Sequence, residues 1–192
     1  MSLTRIIQPI FASRRRALDK YQTQAEQLQM QVLHRLVNKA KDTEWGRNHG
    51  FASVSSYEDF AKTSDVNTYE ELKLAIDRMR QGESDILWPG KVRWYAKSSG
   101  TTNDKSKFIP VSKDGLKDTH YAGGRDAVTW YLRNNPQSRI FDGKALILGG
   151  SHVPKYNTKN SLVGDLSAIL IENINPLVNL VRVPKKSIAL LS

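Results

Sequence analysis

Apolar residues recur at three- and four-residue spacing over residues 5–41, which predicts one long amphipathic helix. Its stripe consists of Leu18, Tyr21, Ala25, Leu28, Val32, Leu36 and Val37. Shorter stretches with helical signals cover residues 57–62, 69–81, 113–133 and 164–172. The helix from residue 69 opens with Thr68 and Glu71 in the spacing of a capping box, in which each residue bonds the other's backbone N–H. The pattern therefore predicts a chain with substantial helix content.

Two other stretches have the patterns of strands. Val92, Trp94 and Ala96 alternate with more polar neighbours, and a short apolar run follows at residues 108–111. Residues 144–148 are almost continuously apolar, which predicts a strand buried on both faces. We therefore expect an α/β fold in which N-terminal helices lead into a mostly covered β-sheet. We expect a helical segment over 1–90 and the start of an α/β domain over 91–192, both within a single domain.

Charge changes this picture only modestly. The 192 residues carry a net charge of +10, no Cys and 39% hydrophobic residues. Without Cys the chain has no disulfide, thiol nucleophile or thiolate metal site. The positive excess is concentrated in residues 91–150, with eleven Lys and Arg against five acids, and it surrounds a hydroxyl-rich loop. This distribution predicts a small polyanionic ligand rather than nucleic acid. The absence of Cys favours a cytoplasmic location, and no apolar run is long enough to predict a membrane span.

That loop supplies the candidate chemistry. The strand pattern runs directly into Ser98, Ser99, Gly100, Thr101 and Thr102, and Lys105 and Lys107 follow. Hydroxyls and backbone N–H groups donate to phosphate oxygens, and an ammonium group neutralises their charge. The same composition is also that of an ordinary surface loop. The stretch lacks the second glycine and the lysine position of a Walker loop, and it has no dinucleotide-binding glycine pattern.

The motif from Ser98 through Lys107 resembles the first ATP-binding motif of the auxin-responsive promoter (GH3) family, the acyl acid–amido synthetases. The family pattern is S-S-G-T-[ST]-x-G-x-x-K; Lys107 occupies its lysine position, and Asp104 replaces its second glycine. Neighbouring sequence blocks also resemble the family and occur in the same order. T-E-W-G-R-N-H-G-F and L-W-P-G precede the motif, and K-F-I-P-V-S and G-D-L-S-A-I-L follow it. The resemblance spans about residues 43–184 and is closer to bacterial than to plant members.

The resemblance implies an adenylate-forming ligase that uses ATP and Mg²⁺. A carboxylic acid is first adenylated, and an amino acid amine then takes the acyl group. By the same resemblance, Lys107 is the catalytic cation, and the remaining motif residues bind ATP, among them Ser98, Ser99, Gly100, Thr101, Thr102 and Lys105. Lys105 also offsets the charge of Asp104.

Family members are much longer, so we interpret the chain as an N-terminal part that is inactive alone. The adenine- and metal-binding residues are expected beyond Ser192. The competing hypothesis is a non-catalytic basic module that binds nucleic acid or another polyanion.

Overall fold

The computed structural model describes residues 2–98 and 106–190 and has a mixed α/β fold that is mostly helical, with small sheets. The chain divides into two compact units. Unit 1 comprises residues 1–23, 113–153 and 164–192, and unit 2 comprises residues 24–112 and 154–163. The α/β class expected from the sequence is confirmed.

Unit 1 is built on two packed helices, α1 (Leu3–Asp19) and α6 (Ala122–Asn134). Two ion pairs join them: Arg14 Nε lies 2.6 Å from an Asp126 oxygen, and Arg133 Nη1 lies 2.7 Å from an Asp19 oxygen. A π-helical turn, Gly115–Tyr121, leads into α6. Unit 1 also contains helices α7 (Leu166–Asn173) and α8 (Lys186–Ala189) and a parallel two-stranded ladder, β3 (Ala145–Leu146) with β5 (Arg182–Val183).

Unit 2 begins with four helices: α2 (Ala25–Ala40), α3 (Glu44–Asn48), α4 (Tyr57–Thr63) and α5 (Tyr69–Arg80). Val37, Ala40 and Phe51 form a buried cluster among the first of these elements. An antiparallel hairpin follows, β1 (Trp94–Lys97) with β2 (Phe108–Val111), in which Lys97 is opposite Phe108. Strand β4 (Leu162–Gly164) lies on the other side of β1.

The single helix predicted over residues 5–41 is wrong, because α1 ends at Asp19 and α2 begins at Ala25. A 3₁₀ turn, Lys20–Gln22, separates them, and the Thr23 N–H bonds the Lys20 carbonyl. Helix α1 packs within unit 1, whereas α2 contributes to the core of unit 2. Tertiary packing therefore interrupts a pattern that is locally continuous.

The local signals around α5 are confirmed. Thr68 and Glu71 form the capping box in both directions, and Gly82 follows the helix at φ +102°. The burial predicted for residues 144–148 is not found, because Leu146 and Leu148 are 69% and 81% exposed. The strand is present, but both of its residues, Ala145 and Leu146, are exposed.

Candidate functional site

The two ends of the hydroxyl loop meet at the end of the β1–β2 hairpin. The Ser98 N–H donates to the Lys107 carbonyl at 3.0 Å, one step beyond the pair Lys97–Phe108. Of the predicted site residues, the structure thus brings Ser98 and Lys107 together through their backbones. Ser99, Gly100, Thr101, Thr102 and Lys105 lie outside the described residues, and their proposed roles remain predictions.

The peptide unit between Lys107 and Phe108 is held from both sides. Its carbonyl accepts from Ser98, and its N–H donates to the Tyr69 hydroxyl at 2.9 Å. Lys107 Nζ lies 5.4 Å from the centre of the Tyr69 ring, within cation–π range. Tyr69 is the first residue of α5, so the capped start of that helix fixes the backbone beside the candidate catalytic lysine.

A second aromatic ring, that of Tyr156, lies within cation–π range of two lysines beside the hairpin. Lys97 Nζ and Lys155 Nζ lie 5.3 Å and 5.1 Å from the Tyr156 ring centre. Tyr156 meets the Phe108 ring edge-on at 5.5 Å, and Arg80 lies over Phe108 at 3.9 Å. These contacts keep several positive charges close to where the loop starts and ends, and such a concentration raises the local potential for an anion.

Tyr95 lies beneath this surface, in the middle of β1. It is completely buried, and its hydroxyl has no hydrogen-bond partner within residues 2–98 and 106–190. Burial raises the pKa of Tyr95 to about 12, and the charge of Arg80 opposes part of that rise. Burial thus favours the neutral phenol, and the Tyr95 side chain forms part of the buried interior of unit 2.

Sequence reasoning missed Tyr69 and Tyr156. Tyr69 stands at the first position of α5, where the capping box predicts the helix but gives no sign that the phenol reaches β2. Tyr156 lies in a 3₁₀ turn, Pro154–Tyr156, far from the hairpin in sequence. Aromatic residues next to lysines in polar loops are a weak signal, and only the fold shows which cation meets which ring.

The hairpin end offers ligands for phosphate rather than for a metal. Its described polar groups are ammonium, guanidinium and hydroxyl groups, which suit phosphate oxygens, whereas Mg²⁺ prefers carboxylates, phosphates and water. Among the described residues, no group of three or more His, Asp or Glu side chains is arranged to hold a metal ion. In that same part of the chain, no helix is both long and apolar enough to cross a membrane.

The fold resembles solved acyl acid amido synthetases. A GH3.15 acyl acid amido synthetase superposes with a TM-score of 0.72 at 20% identity, covering 90% of this chain and 30% of that protein. AtGH3.15 in complex with 2,4-DB gives a TM-score of 0.70 at 21% identity, covering 87% of this chain and 28% of that one. At these identities the likeness concerns the fold.

Sequence comparison gives the family. The protein-family model described as "GH3 family N-terminal domain" matches residues 14–191 of this sequence. The chain therefore belongs to the GH3 family. The indole-3-acetic acid-amido synthetase GH3.6 of Arabidopsis thaliana is 28% identical over 95 residues, covering 49% of this chain and 16% of that protein. The jasmonoyl--L-amino acid synthetase JAR4 of Nicotiana attenuata is 25% identical over 140 residues, covering 72% and 23% respectively.

Proposed function

We propose that this chain is the N-terminal part of a bacterial-type, ATP-dependent acyl acid–amido synthetase. Family membership supports the proposal, as do the amido synthetase activities in the names of its relatives. The chain spans only 16% and 23% of the lengths of the two relatives compared above, so activity is proposed for the complete protein. A division into a helical segment over 1–90 and the start of the nucleotide-binding domain over 91–192 belongs to the same proposal.

The proposal rests on one observation: a backbone hydrogen bond of 3.0 Å between Ser98 and Lys107 brings the two ends of the motif together. Lys107 lies at the second of these ends. Because the first step joins a carboxylate to ATP, two anions must approach each other. The chain's contribution is therefore to neutralise charge and to position phosphates.

In the adenylation step, a carboxylate oxygen forms a bond to the α-phosphorus of ATP. The bond from that phosphorus to the bridging oxygen breaks, and pyrophosphate leaves with the electron pair. Lys107 neutralises charge that develops on pyrophosphate, while Ser98 and the loop hydroxyls hold phosphate oxygens. In the second step, the amine attacks the acyl carbon, AMP leaves and an amide forms.

The remaining assignments follow from the same proposal. Mg²⁺ would be carried on the phosphates of ATP, because the described groups at the hairpin end are cations and a hydroxyl rather than carboxylates. The substrates are a small carboxylic acid and an amino acid, in keeping with the 2,4-DB bound by a solved relative. We place the protein in the cytoplasm, where ATP and amino acids are supplied.

The test is carboxylate-dependent exchange of labelled pyrophosphate into ATP by the complete protein. Aromatic, jasmonate-like and fatty carboxylates are supplied in turn, and reactions without carboxylate are the control. We expect exchange with at least one class of acid and none in the control.

Folded protein that exchanges no label with any acid would count heavily against a ligase. The basic-module hypothesis is tested in parallel by retention on DNA or heparin at increasing salt. Strong, salt-sensitive retention that is indifferent to ATP would favour that hypothesis, because counterion release makes polyanion binding steeply salt-dependent.

A further inference from the structure

Tyr69 makes two contacts with the consecutive residues Lys107 and Phe108. Its hydroxyl accepts a hydrogen bond of 2.9 Å from the Phe108 N–H, and its ring centre lies 5.4 Å from Lys107 Nζ. One half-buried side chain therefore contacts both the backbone that carries the candidate catalytic lysine and the ammonium group itself. The two contacts use different parts of the phenol, so substitution can remove them separately.

The hydrogen bond to Tyr69 satisfies a donor that the sheet leaves over. Strand β2 is at the edge of the three-stranded sheet β2–β1–β4, and among the described residues no strand lies beyond it. The C=O and N–H of a trans peptide unit point in opposite directions. The Lys107 carbonyl accepts from Ser98 on the β1 side, and the Phe108 N–H of the same unit donates to Tyr69 on the other side. Both sides of this peptide unit are therefore fixed by protein groups.

Helix α5 determines where the phenol lies. Tyr69 is the first residue of α5, and the capping box of Thr68 and Glu71 makes both of its reciprocal hydrogen bonds. A tyrosine side chain has only two χ angles, whereas a lysine has a flexible four-carbon stem and loses much rotamer freedom when it is ordered. A ring that restricts the ammonium group before the reaction reduces the entropy that must be lost during it.

We propose that Tyr69 is a positioning residue for Lys107 in the adenylation step, with its hydroxyl fixing the peptide unit and its ring restricting the ammonium group. This inference rests on the proposed function. The effect of Tyr69 passes through Lys107, which neutralises the charge that develops on pyrophosphate. Loss of Tyr69 therefore lowers kcat and leaves the KM for ATP nearly unchanged, because the interaction that it supports is made in the transition state.

The experiment measures carboxylate-dependent pyrophosphate exchange by the complete protein at varied ATP concentration. Tyr69→Phe keeps the ring and removes the hydroxyl, and Tyr69→Leu removes both contacts. We expect kcat to fall about threefold to tenfold in Tyr69→Phe, because one hydrogen bond is lost, and about tenfold or more in Tyr69→Leu. The KM for ATP should stay within about twofold of the wild-type value in both variants.

Tyr57→Leu is the matched control. Tyr57 is also the first residue of a helix with a side-chain N-cap, α4, but it is 62% exposed. Substitution of such a surface residue has little effect on the fold, so kcat should change by less than about twofold. The melting temperature of each variant, measured without substrates, shows that the proteins compared are folded.

A double-mutant cycle separates positioning from a general loss of structure. If Tyr69 acts through Lys107, Tyr69→Leu should change kcat by less than about twofold when Lys107→Ala is already present. A general loss of structure would lower the rate by the same factor with and without Lys107→Ala. If Tyr69→Leu fails to fold, Tyr69→Phe is compared in the same two backgrounds.

Three results would overturn the positioning role and leave the ligase function in place. One is an active wild type whose kcat is unchanged by Tyr69→Leu. Another is an equal loss of rate with and without Lys107→Ala. The third is a raised KM for ATP with unchanged kcat, which would assign Tyr69 to ground-state binding. A wild type that exchanges no label with any acid would instead remove the proposed function, and this inference with it.

Discussion

At the residue scale, the Lys107–Phe108 peptide unit shows how a few single contacts position the candidate catalytic lysine. Its two hydrogen bonds, from Ser98 and to Tyr69, fix the backbone of Lys107 at the start of β2. Lys105 precedes this anchored point by two residues. A cation that is held in place before the reaction stabilises developing charge effectively, because it needs no reorganisation during the step.

We therefore expect Lys107→Ala in the complete protein to lower the rate of adenylation by about 10²-fold or more. Lys105→Ala is the matched control and should cost far less. Both are measured as kcat/KM for carboxylate-dependent pyrophosphate exchange. The opposite ranking would refute the alignment of the motif on this chain, whereas small and equal effects would assign the phosphates to hydroxyls and backbone N–H groups.

The sequence predicted that Ser98 and Lys107 lie at the two ends of one loop between strands, but it did not predict their surroundings. Ser98 and Lys107 could be predicted because the motif and the strand alternation are local patterns. The contact of Tyr69 with the Lys107–Phe108 peptide could not, because it joins residues that are distant in the chain. Tyr95 was expected among the polar neighbours of the strand, yet it is fully buried, because a phenol can fill a core as well as an edge.

At the element scale, the first turn of helix α1 is held in place by hydrogen bonds to one carboxylate, that of Asp142. An oxygen of Asp142 accepts from the Thr4 N–H at 3.0 Å and from the Ser2 hydroxyl at 2.8 Å, and the other accepts from Arg139 at 2.7 Å. These bonds favour the ionised form. The hydrogen bond from the Thr4 backbone N–H is the main cause that holds the pKa of Asp142 well below its ordinary value.

A lowered carboxyl pKa gives a definite sign to the pH dependence. The ionised Asp142 stabilises the folded chain at every pH above the ordinary carboxyl value of 3.8. That contribution is lost as the pH falls from there toward the lower pKa of the folded state, because the unfolded chain then binds the proton first. Asp142→Asn should therefore lower the melting temperature at pH 7, and the difference should shrink progressively as the pH falls below 3.8. Thermal unfolding at several pH values measures this, with exposed Asp65→Asn as the control; a difference that does not change with pH would show that the charge of Asp142 is unimportant.

Helices and strands could be predicted where the sequence signal that specifies them involves only neighbouring residues. The capping box located the start of α5, and alternation located β1 within a few residues. The separation of α1 from α2 was not predictable, because no proline or glycine marks residues 20–24 and the two helices pack in different units. The exposure of β3 was also missed. A run of apolar residues predicts that the strand is buried, but it does not say which part of the protein packs against it.

At the scale of the whole molecule, the chain has the fold and family of a GH3 N-terminal domain and leaves a large part of its apolar surface in water. Leu146, Leu148, Leu177 and Leu180 of unit 1 are 69%, 81%, 70% and 70% exposed, and Ile188 is 57% exposed. Soluble monomers seldom expose contiguous apolar patches of more than a few hundred Å², and larger ones mark interaction surfaces or sites of aggregation. In the longer relatives, such a surface has further chain available to cover it.

We therefore predict that the 192-residue chain behaves as an incomplete domain when it is produced alone. It should aggregate or bind a hydrophobic dye such as ANS, because the open β3 strand and its neighbouring leucines stay in contact with water. The complete protein, measured at the same molar concentration, is the control and should bind much less dye. Light scattering, dye fluorescence and calorimetry report the outcome together. A soluble monomer that unfolds in one sharp, cooperative transition would contradict the prediction and would mean that unit 1 closes its core without further chain.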